Sequence, residues 1–271
     1  SKIINVCGFP RSGTTLLAYK LNQLKNIAAI PEAQFRFIDK FNSNSNFIDR
    51  IRNKRRLKKS FKSWEELSIN HFSFNYKQEK FIDISQLFLK SFHREKFDFK
   101  FIVDHTPENL FGFDESSDYS NQSFIFINRS ITSLVKSHSK LKWSNMPPIF
   151  LAAKHAIYNS YIARLKEFLD EINHFDYATI DYVNLIEDNW QKSLKYSSLD
   201  TELKKTINNE SEIKSFPLPS FTRKQHSYLD KDVSQIFKPL EFKNKKNTLS
   251  FLRNSYMKLT LPGIIKSYLI K

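Results

Sequence analysis

Gly8-Phe9-Pro10-Arg11-Ser12-Gly13-Thr14-Thr15-Leu16-Leu17 is the stretch that decides the fold. Ahead of it, Lys2-Ile3-Ile4-Asn5-Val6-Cys7 reads as a short buried strand. Behind it, Leu16-Leu17-Ala18-Tyr19-Lys20-Leu21 reads as a helix. A strand, a glycine-bounded turn and a helix together make a cradle for an anion. Gly8 and Gly13 let the backbone bend and come close to the ligand. The first N–H groups of a helix lack internal acceptors, and the helix dipole places positive potential there. Thr14 and Thr15 add hydroxyl donors. The loop is built for a phosphate or a similar oxyanion.

What the loop lacks narrows the choice. The NTPase loop G-x-x-x-x-G-K-[ST] carries a lysine that reaches the β- and γ-phosphates. Here the Gly8-x4-Gly13 spacing is kept, but Thr14 stands in the lysine position and the cation sits inside the loop, at Arg11. The pattern resembles the 5′-phosphosulfate loop of the sulfotransferase family, in the Arg-type branch that includes protein-tyrosine sulfotransferases and many bacterial members. That resemblance implies a three-layer, P-loop-like α/β fold with a central parallel sheet. It also implies transfer of a sulfuryl group from the donor PAPS (3′-phosphoadenosine 5′-phosphosulfate), leaving PAP. Pro10, Arg11, Ser12, Gly13, Thr14 and Thr15 would then hold the 5′-phosphosulfate.

A second anion site follows the strand-like run Ser123-Phe124-Ile125-Phe126-Ile127. Arg129 stands just past it, and Ser137 follows eight residues later on an expected helix. A charged guanidinium fork and a hydroxyl two turns on can close on one phosphate. Sulfotransferases bind the donor's 3′-phosphate with an Arg and a Ser at this spacing. The family often has Asp-Pro after that Arg, whereas this chain has Ser130-Ile131. A third resemblance is the pair Arg223-Lys224, in a proline-punctuated loop, as a further contact to the 3′-phosphate.

Sulfuryl transfer asks for a base on the acceptor hydroxyl and a cation for the departing phosphate oxygen; positioning and charge do most of the catalysis. Arg11 is the natural cation. Glu32 is the first candidate base: it follows Ala28-Ala29-Ile30-Pro31, and the tyrosine sulfotransferases carry a catalytic Glu at the same distance beyond the loop Arg. His105 is the rival. Phe99 to Val103 reads as a strand that ends in Asp104-His105-Thr106-Pro107, where many sulfotransferases have Asp-Lys-Thr-Pro with the Lys near the transferring group. A histidine there can take a proton or, when charged, donate to a sulfuryl oxygen. Asp104 is expected to orient its neighbours or cap the turn.

Composition bounds the rest. A chain of 271 residues with 26 Phe has ample core material for one α/β domain. Residues 1–271 read as a single domain with a mainly helical insertion at about 35–97. Within that insertion Arg52, Lys54, Arg55, Arg56, Lys58 and Lys59 form a basic run, read as a solvated helix face or an acceptor-binding flank. The net charge of +15 suits an anionic donor and acidic acceptors. No zinc-finger spacing, basic leucine zipper or RNP-type strand supports nucleic-acid binding. Cys7 is the single cysteine, so no intrachain disulfide and no cysteine metal site can form. The seven His lack ligand spacing, and the transfer scheme requires no metal.

No apolar run reaches the roughly 18 residues of a spanning helix. The expected setting is the cytoplasm, or a lumenal catalytic domain if an anchor precedes the first strand. The tail from Met257 to Ile270 is expected to dock on the domain or, as the alternative, to lie at a membrane surface. A long helix is expected from Ile149 to Ile172, with Phe150, Ala153, Ile157, Tyr161, Leu165 and Phe168 as its core stripe. A further strand at Asp176–Ile180 leads into Tyr182 and Leu185. The acceptor carries a free hydroxyl on a carbohydrate, a lipid, a small molecule or tyrosine, and its identity is not legible. Two other classes fit parts of this pattern: a P-loop kinase or NTPase, and a non-catalytic binder of anionic glycans.

Overall fold

In the computed structural model of the protein, residues 2–24, 26–29, 100–115, 117–139, 147–187, 189–195, 197–208 and 248–256 are described. Five parallel strands form one sheet: β1 (Lys2–Cys7), β2 (Ile27–Ala29), β3 (Phe101–Asp104), β4 (Gln122–Asn128) and β5 (Tyr177–Asp181). Their order is β2-β3-β1-β4-β5, with β1 central. Ile3 is in register with Ile102 on one side and Gln122 on the other. A strand paired on both edges and covered on both faces must be apolar almost throughout; five of the six β1 residues are buried.

Side chains alternate between two cores, as a pleated strand requires. On one face Ile4, Val6, Ile125, Ile127 and Ile180 pack under α1 (Thr14–Asn22). That mainly aliphatic core extends to Trp190 and Leu194 of a short helix and to Leu203 and Ile207 of another. On the other face Cys7, Phe124 and Phe126 meet α2 (Ile131–Ser139), the long helix α3 (Pro148–Glu171) and a helix over 248–256. Phe9, Phe111, Phe113, Tyr119, Tyr158, Tyr161 and Tyr256 make this second core aromatic. Two filled cores around one parallel sheet are the three-layer architecture expected from the sequence.

The expected core stripe of α3 needs one correction. Tyr161 and Leu165 are fully buried, and Ile157 and Phe168 pack against the core, but Phe150 is 40% exposed. The buried face runs instead through Leu151, Lys154, His155, Tyr158, Tyr161, Leu165 and Leu169. Phe150 lies in the first turn on the side away from Leu151 and Ala152, which enter the core. The rotated face brings polar groups inward.

Strand order also places the site. The chain leaves β1 through α1 toward β2, and leaves β4 through α2 and α3 toward β5. These connections depart to opposite sides. A crevice therefore opens between the carboxyl ends of β1 and β4, the usual ligand position in such sheets.

Candidate functional site

The segment between β1 and α1 turns tightly over that crevice. Ser12 N donates to Phe9 O at 2.8 Å, and Leu17 N makes the first intrahelical bond, to Gly13 O, at 3.0 Å. The helix supplies no acceptor for the N–H groups ahead of Leu17. Gly13 takes φ +105°, in the left-handed region. A Cβ there would lie 2.9 Å from the Tyr182 ring and 3.1 Å from Leu185. Glycine is thus required twice, by conformation and by the packing of the β5 end against the loop. At Gly8 a Cβ would meet Ser12 Oγ at 2.2 Å. Arg11 also holds a left-handed backbone, at φ +77°, without glycine's freedom. Strain of that kind, about 1–2 kcal/mol, survives where the surroundings enforce it.

Ser12 Oγ is buried and has no hydrogen-bond partner among the described residues. A buried hydroxyl left in that state is unfavourable by about 1–3 kcal/mol unless a ligand completes it. It lies in a cradle that a Gly8 side chain would fill. The donor set is N–H groups, hydroxyls and guanidinium, so the residues present fit a phosphate or sulfate group.

Arg129, just beyond β4, is bound to this loop. Its Nη1 donates to Arg11 O at 2.6 Å and its Nε to Ser133 Oγ at 2.7 Å. Its guanidinium stacks on the Tyr182 ring, 3.7 Å from the centroid. Arg11 Nε in turn donates to Ser137 Oγ at 3.3 Å. Arg11, Arg129 and Ser137, 126 positions apart at the extremes, are thus one cluster. Within it Ser137 meets Arg11, and Arg129 is held by Ser133.

His105 follows β3 and is buried. Asp104 binds Thr106 N at 3.0 Å with one carboxylate oxygen and Asn109 Nδ2 at 2.6 Å with the other. It orders the turn, as the sequence suggested. Tyr158, fully buried on α3, joins this turn to the Gly8–Gly13 loop: its hydroxyl donates to Pro107 O at 2.8 Å and accepts from the Gly8 backbone. Glu32, Arg223 and Lys224 lie outside the described residues, as do the basic run at 52–59, the insertion at 35–97 and the tail.

A profile of the sulfotransferase family matches residues 4–193, which hold the cradle, the Asp104–Pro107 turn, Arg129 and Ser137. The chain belongs to the sulfotransferase family. No curated protein sequence matches it. This sulfotransferase is therefore a transferase of sulfuryl groups, with the α/β fold expected of it. Among its described residues no helix is long and apolar enough to cross a membrane. No group of three or more His, Cys, Asp or Glu among them is placed to hold a metal.

Two histidines of the sulfotransferase that sequence reasoning passed over stand beside the loop. His138 Nε2 is 3.2 Å from Pro10 O, so that nitrogen carries the proton, and its ring faces Phe9 at 6.1 Å. Burial pushes its pKa down, and the nearby charges of Arg11, Lys154 and Arg129 push it further. His155 meets Phe9 edge-on at 5.3 Å and hydrogen-bonds the Arg129 backbone; burial lowers its pKa to about 4. Both rings are neutral at pH 7. Their signal in the sequence is faint: His155 sits one turn before Tyr158-Asn159 on the helix face that turns inward.

Proposed function

We propose that this sulfotransferase takes its sulfuryl group from PAPS and delivers it to the hydroxyl of a carbohydrate, lipid, small molecule or tyrosine. The observation that carries the reading is the buried Ser12 hydroxyl, unpartnered among the described residues, inside a cradle closed by two required glycines and flanked by Arg11. The 5′-phosphosulfate sits on the loop N–H groups, Ser12, Thr14 and Thr15. Arg129, with Ser137 and Ser133 beside it, takes the 3′-phosphate. The tie from Arg129 to Arg11 O couples the two anion sites, so that binding at one sets the geometry of the other.

Transfer is an in-line displacement. The acceptor oxygen forms a bond to sulfur while the bond from sulfur to the bridging phosphate oxygen breaks. The electron pair leaves on PAP, where Arg11 stabilises the growing charge. The acceptor proton passes to Glu32 or to His105. Glu32 is the preferred base, because a carboxylate needs no prior deprotonation at neutral pH. Arg223 and Lys224 add charge near the 3′-phosphate.

Calorimetric titration with PAP, beside ATP with magnesium, tests this reading. PAP is expected to bind more tightly than ATP, and Arg129→Ala to weaken PAP by about tenfold or more through loss of a charged contact. Preference for ATP would overturn the reading in favour of a kinase, whose loop lysine this chain lacks.

A further inference from the structure

Lys154 is an unusual residue for the inward face of α3. It is only 8% exposed. Its Nζ lies 4.4 Å from the centre of the Tyr256 ring, and among the described residues it makes no hydrogen bond or ion pair. The stem of the side chain packs inward while its charged end keeps contact with solvent, and the tyrosine face attracts that charge by about 1–2 kcal/mol. Burial pushes its pKa down, and only Glu108 pulls it back. A neutral side chain such as Leu or Met would fill the same inward position, so packing alone does not call for a charge there.

Its position is defined by the fold. The helix α3 runs from the carboxyl edge of the sheet back toward the start of β5, so its first turns overhang the carboxyl edge. Tyr158 marks the level of that edge, since its hydroxyl bridges Gly8 and Pro107. Lys154 is one turn earlier on the same face, about 6 Å further out along the axis, and helical side chains lean toward the N-terminus. Its charge reaches His138, the neighbour of Pro10 in the phosphate loop, and Glu108 in the turn after His105. It thus lies within electrostatic reach of both sides of the gap between the loop and the turn. That gap is where the transferring group must lie if the loop holds the phosphosulfate.

We propose that Lys154 is a catalytic cation of this sulfotransferase, contacting the oxygens of the sulfuryl group and supplying from α3 the charge that His105 does not supply from the β3 turn. This assignment rests on the PAPS reading above. The lysine transfers no proton. It neutralises a sulfuryl oxygen while the S–O bond to the donor breaks and the bond to the acceptor forms.

PAPS and PAP differ only by the sulfuryl group, so their affinities separate the two proposals. Lys154→Met is expected to weaken PAPS about tenfold or more, as for loss of a charged hydrogen bond, and PAP less than about twofold. Lys154→Arg should keep most of the PAPS affinity. Equal loss of PAPS and PAP, or loss of neither, would overturn the lysine's role while leaving the donor intact; it would mean that Lys154 is structural or meets the acceptor. Failure of the unaltered protein to bind either nucleotide would overturn the donor reading and this assignment with it. If Lys154→Met does not fold by circular dichroism, Lys154→Gln carries the same comparison.

Discussion

The two edges of the sheet use charge in opposite ways. At the amino edge, Lys2 of β1 meets Asp176, just before β5, and Asp200 at 3.2 Å. Asp200 in turn caps the helix Thr201–Asn208, accepting from Glu202 N at 2.8 Å and Leu203 N at 3.0 Å. Each charge there has a partner of opposite sign, and the set ties strands to a helix. At the carboxyl edge, Arg11, Arg129 and Lys154 gather around a neutral His138 and meet hydroxyls, a carbonyl and tyrosine rings. Cations assembled this way repel one another. Like charges grouped in this way favour the approach of an anion. The difference teaches where to look for function: at the amino edge pairs of opposite sign tie strands to a helix, and at the carboxyl edge like charges gather around one loop.

The largest effect expected at the carboxyl edge is pH dependence through His155. Its pKa is about 4 in the folded protein against an ordinary 6.5, so the unfolded chain binds the proton first. Stability is full above pH 6.5 and falls as pH drops toward 4, by up to roughly 3 kcal/mol from this group. Denaturant melts of the protein and of His155→Gln between pH 7 and 4 should diverge, with the variant's profile flatter. Parallel profiles would show that the imidazole is not buried neutral.

Arg11→Gly sharpens the contrast from the other side. It removes the left-handed strain at φ +77° and is expected to leave the fold neutral or more stable by about 1 kcal/mol. PAP affinity should fall by about tenfold or more, because a charged contact is lost. A variant that is both less stable and still tight for PAP would mean that the arginine is structural. The smallest effect belongs to the amino edge. Lys2→Met should lose about 1 kcal/mol or less, diminishing at high salt, with no change in PAP affinity. Thermal melts at two ionic strengths check this, and a shift in PAP binding would break the distinction between the edges.

Most of the sheet was legible in the sequence. Lys2–Cys7 stands as expected, and the runs around Phe101, Phe124 and Tyr177 lie within two residues of their expected limits. Buried parallel strands are short apolar runs, and glycine or charge marks their ends. Arg129 was legible for the same reason, as a cation at a strand end. The face of α3 was less so. With Ile, Leu, Phe, Tyr and Ala spread around much of the helix, periodicity admits more than one inward stripe, and Phe150 was assigned to the wrong one. The sequence places Tyr182 only just after a strand, whereas its packing on Gly13 and stacking on Arg129 depend on β5 lying beside β4.

The sequence by itself determined the glycine-bounded cradle and the family, because these are local: Gly8, Gly13, Arg11 and the threonines lie in one turn and the start of one helix. Only the tertiary structure decided which distant side chains reach that cradle. Arg129 against Arg11 O, Tyr158 between Gly8 and Pro107, and Lys154 against the Tyr256 ring all depend on strand order and helix rotation. Those are settled by how two cores pack on one sheet, through contacts such as Tyr158 to Pro107, 51 positions apart, and Arg129 to Arg11, 118 apart.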